Sequence, residues 1–248
     1  MLELPHNHDI VGIPVTGFAD VNHAVDCISN RIDRTEKSFV IAINPEKVLL
    51  GNENTELRQS MDRANVFICD GVGAAAALKI LHGKSVKRVT GVSLFFELLA
   101  QAEQKKWGVF LLGAKEETNK AACEQLLLKY PNLVIAGRQN GYFDNDEDLI
   151  QQINKSQARL LFVAMGSPRQ EIWIHRHIDQ LSPSLLMGVG GSFDVASGQV
   201  KRAPMIAQKT GTEFLYRLIA QPSRWRRQVF RLPRFAFQVL KMRLSRRT

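Results

Sequence analysis

The strongest constraint on the fold is an alternation of short, continuously apolar runs with longer segments of helical periodicity. Apolar runs without polar alternation are typical of parallel strands that helices cover on both faces. The predicted strands are Ser38–Asn44, Asn65–Cys69, Gly108–Leu112, Leu133–Ala136, Arg159–Met165 and Ser184–Met187. The predicted helices are Asp20–Asp33, Thr55–Ala64, Gly73–Leu81, Ser93–Lys105, Glu116–Lys129, Glu147–Lys155 and Gln170–Gln180. The sequence therefore predicts an α/β fold with a doubly wound, mostly parallel, Rossmann-like sheet.

Charge divides the chain into two parts. Residues 200–248 hold 13 Lys and Arg residues and one acidic residue, whereas residues 1–199 carry a slight negative excess. We therefore predict an α/β catalytic domain over residues 1–199 and a basic, helical C-terminal appendage over residues 200–248. Prolines at positions 204, 222 and 233 are expected to end helices. The helices predicted in the appendage are Thr212–Gln221, Ser223–Leu232 and Arg234–Leu244.

The appendage interleaves its cations with large apolar side chains. Such a basic amphipathic segment can lie at an anionic membrane surface, can bind nucleic acid, or can simply pack on the body. No nucleic-acid-binding motif is present and the body is acidic, so we favour the membrane and expect no nucleic acid partner.

The beginning of the chain and its cysteines indicate a compartment. The sequence MLELPHNHDI lacks the features of a signal peptide. Cys27, Cys69 and Cys123 are widely separated, which is typical of buried thiols in a reducing environment. The expected location is the cytoplasm, peripheral on the inner face of the cell membrane.

Polar residues follow the predicted strands, where ligands bind in open α/β sheets. Asn44 can meet a ligand or cap the next helix. Asp70 can act as a general base or simply form an Asp-Gly turn. Lys87 and Arg88 precede a helix and can bind a phosphate or carboxylate, or form a solvated surface pair.

Glycine turns follow several strands. Gly113, Gly166, Gly190 and Gly191 each allow backbone N–H groups to approach a ligand closely. A dinucleotide fingerprint GxGxxG is absent at Gly113, which counts against NAD or FAD, and no cofactor is predicted.

Other side chains near these turns are candidates for substrate binding. Tyr142 can offer an aromatic face to a base or pack in the core. Arg169 and Gln170 open a helix whose positive end suits a diphosphate. Asp194 can accept hydrogen bonds from a ribose or another sugar.

No metal site is predicted. Asp144-Asn145-Asp146 reads as the metal-binding DxD motif of many glycosyltransferases, but it leads into a helix and is better explained as a cap followed by acids that match the helix dipole. His175 and His177 are two residues apart on a predicted helix, so their imidazoles diverge.

Several of these motifs occur together in one known family. They are INPEKV (Ile43–Val48), CDGVG (Cys69–Gly73), KRVTG (Lys87–Gly91), FLLGAKEE (Phe110–Glu117), GYF, MGSPRQE (Met165–Glu171), MGVGGSFDVASGQVKRAP (Met187–Pro204) and EFLYRLIAQPSR (Glu213–Arg224). In this order they resemble the WecG/TagA/CpsF glycosyltransferases. The resemblance implies Asp70 as the base, with Asn44, Arg88 and Gln170 in the active site, and no metal. It also implies Arg217 and Arg224 as contacts of a lipid diphosphate. Some relatives have a Thr where this chain has Ala42, so no role is carried over for that hydroxyl.

The resemblance also implies a reaction. The sequences of the motifs MGSPRQE, KRAP and LYRL…QPSR are most similar to those of the enterobacterial-common-antigen branch, which transfers N-acetylmannosaminuronate from UDP. The teichoic-acid branch transfers N-acetylmannosamine instead. Both branches use undecaprenyl-diphosphate-linked GlcNAc as acceptor and invert the anomeric centre. The expected partners are thus a UDP-sugar, a polyprenyl-diphosphate-linked acceptor and an anionic membrane surface; a homo-oligomer is compatible with this prediction. The alternative is a non-catalytic nucleotide-sugar-binding regulatory protein.

Overall fold

The computed structural model of the chain describes residues 2–83, 86–200 and 225–245. Its strands are β1 (Asn7–Ile10), β2 (Ile13–Thr16), β3 (Ser38–Ile43), β4 (Val66–Cys69), β5 (Val109–Gly113), β6 (Ile135–Gln139), β7 (Leu160–Ala164) and β8 (Leu185–Gly188). Its helices are α1 (Val21–Asp33), α2 (Pro45–Glu53), α3 (Thr55–Arg63), α4 (Val72–His82), α5 (Gly91–Lys105), α6 (Glu116–Lys129), α7 (Asp146–Lys155), α8 (Arg169–His177), α9 (Ser192–Ala196) and α10 (Trp225–Ser245).

The centre of the protein is a parallel six-stranded sheet with the order β4-β3-β8-β7-β5-β6. Two separate apolar cores lie on its two faces. Consecutive residues of one strand belong to different cores: Phe110 of β5 packs in one and Leu111 in the other. This alternation puts apolar side chains on both faces of the sheet, so helices must cover both. The predicted doubly wound α/β fold is confirmed.

The sequence prediction missed four elements: β1, β2, α2 and α9. All six predicted sheet strands are present, with ends that differ by at most three residues. The antiparallel hairpin β1–β2 was not predicted, because β1 has the polar sequence NHDI. Helix α2 was predicted only as the helix that Asn44 could cap, and α9 contains only five residues.

One predicted helix boundary in the appendage is wrong. The sequence predicts a break at Pro233, whereas α10 continues through this residue. Proline lacks the N–H that bonds to the preceding turn, which costs about 3 kcal/mol in a helix interior. Phe235 and Val239, just beyond it, are buried in the core that includes α2 and α4, and this burial offsets the cost. The predicted helix Thr212–Gln221 lies outside the described residues.

Polar contacts also hold α10 on the body. Arg231 Nη1 is 2.8 Å from Glu46 Oε1, at the start of α2, and Arg243 Nη1 donates to the Leu81 carbonyl of α4 at 3.2 Å. Among the helices described, none combines the length and the apolar character that crossing a bilayer requires.

Candidate active site

Asp70 lies at the carboxyl end of β4. Its backbone N–H donates to the carbonyl of Ile43 at 2.8 Å, which holds the ends of β3 and β4 side by side. A Cβ atom placed on Gly91 would lie 4.0 Å from Asp70 Oδ2, so the carboxylate is close to the first residue of α5. Gly71 has a φ of +94°, and a Cβ atom there would meet no described atom within 4 Å. Asp70 itself is half-buried, and the space beside the next residue, Gly71, is open.

Arg88 belongs to the same strand end. The N–H of Val89 donates to the Cys69 carbonyl at 2.9 Å, so this segment continues alongside β4. Burial raises the pKa of the Cys69 thiol to about 12; the Asp70 carboxylate adds to the rise and the Arg88 guanidinium opposes it. The charges of Asp70 and Arg88 thus both lie near Cys69.

Asn44 caps α2, which was the structural alternative in the sequence analysis. Its Oδ1 accepts a hydrogen bond from the Lys47 backbone N–H at 2.9 Å. A Cβ atom on Gly73 would lie 2.5 Å from Pro45 Cγ, so α2 and α4 begin in contact with each other. Asn44 is therefore next to the Asp70 turn, and its Nδ2 donors are not used by the cap.

Gln170 is buried, with 4% of its surface exposed. Its Oε1 accepts from the N–H of Gly190 at 3.1 Å, and its Nε2 donates to Glu171 Oε1 at 2.9 Å. A Cβ atom on Gly188 would lie 2.5 Å from Gln170 Nε2, so a larger residue there would displace the Gln170 side chain. In this structure Gln170 braces the turn between β8 and α9, which also contains Gly191.

Two buried charges beside Gln170 were missed in the sequence analysis. Lys47 is 5% exposed and Glu171 is 1% exposed. Lys47 Nζ forms an ion pair with Glu171 Oε1 and donates to Ser167 Oγ at 2.6 Å. Lysine and glutamate are usually exposed, so composition gives no signal for such a pair. The only sequence hint is their place in the first turn of helices that follow strands.

The ends of β5, β6 and β7 meet at a second group of candidate residues. A Cβ atom on Gly113, whose φ is +115°, would lie 2.5 Å from the carbonyl oxygen of Ala164. The N–H of Gly141 donates to the Ala114 carbonyl at 2.8 Å. From β5 the chain leads to β6 at the edge, and from β7 it leads to β8 towards the centre. Ligands bind at such switch points in open α/β sheets.

Asn119 of α6 braces these strand ends and was also missed. It is fully buried, and its Nδ2 lies within hydrogen-bonding distance of the carbonyls of Leu111, Gly113 and Gln139, at 3.2, 2.9 and 3.1 Å. Tyr142 follows β6 and is 73% exposed, so its ring is accessible. Because β4 and β6 are opposite edges of the sheet, five spacings of about 4.8 Å separate the strand ends of Asp70 and Tyr142, roughly 24 Å.

The remaining predicted residues are distributed as follows. Gly166 and Arg169 are exposed at the end of β7 and the start of α8. Gly191 is exposed at the start of α9, and Asp194 is half-buried within it. Arg217 and Arg224 lie outside the described residues.

The DxD-like segment has structural roles. Asn145 caps α7, with its Oδ1 accepting from the N–H groups of Glu147 and Asp148 at 2.9 and 3.4 Å. Asp146 Oδ1 accepts from Trp173 Nε1 at 2.6 Å, and Asp146 Oδ2 is 3.4 Å from His177 Nε2. Within the described ranges, no three His, Cys, Asp or Glu side chains form a group that could hold a metal ion.

Helices that start at the carboxyl edge of the sheet fall into two groups. Side-chain oxygens of Asn44 and Thr90 cap α2 and α5. In contrast, α4, α6 and α8 start at Gly71, Lys115 and Pro168 without a side-chain cap from the described part of the chain. Uncapped amino ends present N–H donors and partial positive charge, which suits an anion.

Comparison with known proteins gives a consistent assignment. A family model described as "Glycosyl transferase WecG/TagA/CpsF family" matches residues 8–248. The chain is also similar to the Bacillus subtilis (strain 168) N-acetylglucosaminyldiphosphoundecaprenol N-acetyl-beta-D-mannosaminyltransferase. The two are 32% identical over 246 residues, which cover 99% of this chain and 94% of the relative. The protein therefore belongs to the WecG/TagA/CpsF family of glycosyl transferases.

Proposed function

We propose that the protein is an inverting glycosyltransferase that moves N-acetylmannosaminuronate, or N-acetylmannosamine, from UDP to undecaprenyl-diphosphate-linked GlcNAc in the synthesis of a cell-surface polysaccharide. Family membership supports the reaction type. The name of the B. subtilis relative supports the acceptor and an N-acetylmannosamine-type sugar. The observation that carries the proposal is the half-buried Asp70 carboxylate at an open strand end, near the start of α5.

The residues at the sheet edge supply what such a transfer needs. Asp70 takes the proton of the acceptor hydroxyl while the oxygen of that hydroxyl forms a bond to the anomeric carbon of the donor sugar. The bond from that carbon to UDP breaks, and the electron pair leaves with the diphosphate. Attack from the face opposite the leaving group inverts the anomeric centre. Arg88 and an uncapped helix start at this edge of the sheet stabilise the negative charge of the departing diphosphate.

The test measures UDP release in the presence of the lipid-linked acceptor. We expect Asp70→Asn to fold, to bind UDP and to lose turnover by about 100-fold or more, the scale of a general base. Asp62→Asn is a matched control, because Asp62 is an exposed carboxylate on α3. Near-wild-type turnover in Asp70→Asn would exclude Asp70 as the base. Binding of the UDP-sugar without any UDP release by the wild-type chain would favour the regulatory alternative.

The donor sugar is tested with a panel of UDP-N-acetylmannosaminuronate, UDP-N-acetylmannosamine and UDP-GlcNAc. The motif sequences favour N-acetylmannosaminuronate, whereas the name of the B. subtilis relative favours N-acetylmannosamine. We expect one of the first two donors to give turnover at least tenfold above UDP-GlcNAc. Equal turnover with all three would contradict an N-acetylmannosamine-type donor.

The outer face of α10 supports attachment to an anionic membrane on the cytoplasmic side. Phe237, Leu240 and Leu244 are 67%, 54% and 66% exposed, and they lie opposite the buried Phe235 and Val239. Helical spacing places these three exposed side chains on one stripe. The exposed Arg234 and Lys241 lie beside it. An apolar stripe flanked by cations is typical of helices that lie in a lipid interface.

Cosedimentation with anionic vesicles tests this attachment. Replacing Phe237, Leu240 and Leu244 together with serine should weaken vesicle binding by at least tenfold, because their apolar surface would no longer enter the interface. Leu127→Ser with Leu128→Ser on α6 is the matched control, since these side chains are 43% and 74% exposed. If both variants bind vesicles like the wild type, α10 is not the attachment surface.

A further inference from the structure

The buried pair Lys47–Glu171 connects parts of the site that are far apart in the sequence. Lys47 is in the first turn of α2, after β3, and Glu171 is in the first turn of α8, after β7. In the sheet, β8 lies between these two strands. Through Gln170, the Glu171 carboxylate also reaches the Gly190 turn after β8. One carboxylate oxygen thus contacts groups that fix the loops after three neighbouring strands.

Fold stability alone is a weak explanation for this pair. Burying two charges carries a large desolvation cost, and apolar replacements of a buried pair are often neutral or stabilising. Moreover, Glu171 Oε2 is buried and has no hydrogen-bond partner among the described residues. An arrangement that leaves a carboxylate oxygen unsatisfied is costly. The pair is better explained by what it holds in place.

Ser167 is the group through which the pair reaches solvent. Ser167 is exposed at the end of β7, between Gly166 and Pro168, next to the uncapped start of α8. Its Oγ accepts a hydrogen bond from Lys47 Nζ at 2.6 Å. A hydroxyl that accepts from an ammonium group keeps its own hydrogen for another acceptor, and the neighbouring cation makes it a better donor. This donor stands at the carboxyl edge of the sheet, where an anion would bind.

We propose that Ser167 donates a hydrogen bond to the diphosphate of the nucleotide, and that Lys47 and Glu171 are positioning residues that orient this hydroxyl and, through Gln170, the Gly190 turn. This inference rests on the proposed function, because it takes UDP as the ligand. No covalent step is involved: Ser167 binds the diphosphate, and the buried pair acts through it.

The test is equilibrium binding of UDP to the full-length chain, measured by calorimetry, together with the melting temperature. Ser167→Ala should weaken UDP binding by about tenfold, the scale of one hydrogen bond to a charged group. Ser167→Thr keeps the hydroxyl and should stay within about threefold of the wild type. Ser182→Ala is the control and should bind UDP normally, because Ser182 is exposed and precedes β8, at the amino ends of the strands.

The positioning role is tested by replacing both charges. Lys47→Met with Glu171→Leu removes the pair without leaving a lone buried charge, so the chain should still fold. We expect this double variant to weaken UDP binding by about tenfold. Adding Ser167→Ala should weaken binding by less than a further threefold, because the buried pair acts through the Ser167 hydroxyl. If the double variant fails to fold, Lys47→Arg, which keeps the charge, replaces it. That variant should weaken UDP binding unless Ser167→Ala is already present.

The possible outcomes separate this inference from the function on which it rests. Wild-type affinity in Ser167→Ala, or independent and additive effects of Ser167 and the buried pair, would overturn the inference alone. Failure of the wild-type chain to bind UDP would overturn the proposed function and the inference with it.

Discussion

Phe235 and Phe237 offer a matched test of how α10 is held on the α/β body. The two residues are of the same type and two positions apart, yet Phe235 is 5% exposed and Phe237 is 67% exposed. A buried Phe removes about 150–250 Å² from water, and Phe→Ala in a core costs about 3–5 kcal/mol. We therefore expect Phe235→Ala to weaken the docking of α10 by about 3–5 kcal/mol, and Phe237→Ala by less than about 0.5 kcal/mol.

Native-state hydrogen exchange measures this difference locally. Because about 1.4 kcal/mol is tenfold in an equilibrium constant, a loss of about 3 kcal/mol makes the undocked state over 100-fold more populated. Amide exchange in residues 231–245 should accelerate by that factor in Phe235→Ala, up to the limit set by complete undocking. In Phe237→Ala the exchange rates should stay within about threefold of the wild type. Equal effects of the two substitutions would refute the assignment of an inner and an outer face to α10.

Three further predictions concern the body. Transfer activity should survive excess EDTA, because Asp146 is held by Trp173 and His177; loss of activity that Mg²⁺ or Mn²⁺ restores would contradict this. Cys69→Ala should reduce the loss of stability at alkaline pH. Because the pKa of the Cys69 thiol is raised in the folded protein, the thiol contributes fully to the free energy of unfolding below pH 9, and this contribution is lost between pH 9 and about 12. Urea unfolding of the variant and the wild type across this pH range measures the difference. If the free energy of unfolding falls with pH equally in both proteins, the prediction is wrong. Asn119→Ala should cost about 1–3 kcal/mol in urea unfolding, because three carbonyls lose their buried donor; an unchanged midpoint would rule this out.

Five of the six sheet strands could be predicted from the sequence because they are buried and read as short apolar runs. The edge strand β6 has the half-buried sequence IAGRQ, and its predicted ends are the least accurate. The hairpin β1–β2 could not be predicted, since its pairing depends on contacts with the body. For example, Thr16 Oγ1 accepts a hydrogen bond from the N–H of Phe67 in β4 at 3.0 Å. The course of α10 through Pro233 is another tertiary effect, because packing of Phe235 outweighs the local preference of proline.

The candidate site was predicted in the same uneven way. Asp70 and Gly113 could be selected because each stands where a strand ends, a position that local sequence reveals. The Lys47–Glu171 pair joins residues that are 124 positions apart, so no local pattern indicates it. Gln170 was selected as a catalytic residue, but the structure shows its amide committed to Gly190 and Glu171. A direct contact of Gln170 with substrate stays a prediction.

The starts of the helices suggest how an acidic body can bind a diphosphate. Residues 1–199 carry a slight negative excess, so net charge does not attract the nucleotide. The uncapped amino ends of α4, α6 and α8 offer N–H donors that act only within about one turn. The proposed attachment to lipid, by contrast, relies on the 13 Lys and Arg residues of the appendage, whose attraction is screened beyond about 10 Å at 0.1 M salt. Raising the salt concentration from about 0.05 to 0.5 M should therefore weaken vesicle binding by more than tenfold and UDP binding by less than threefold. Calorimetry with UDP and cosedimentation with anionic vesicles measure the two responses on the same preparation. If UDP binding falls as steeply as vesicle binding, exposed cations rather than helix ends hold the diphosphate.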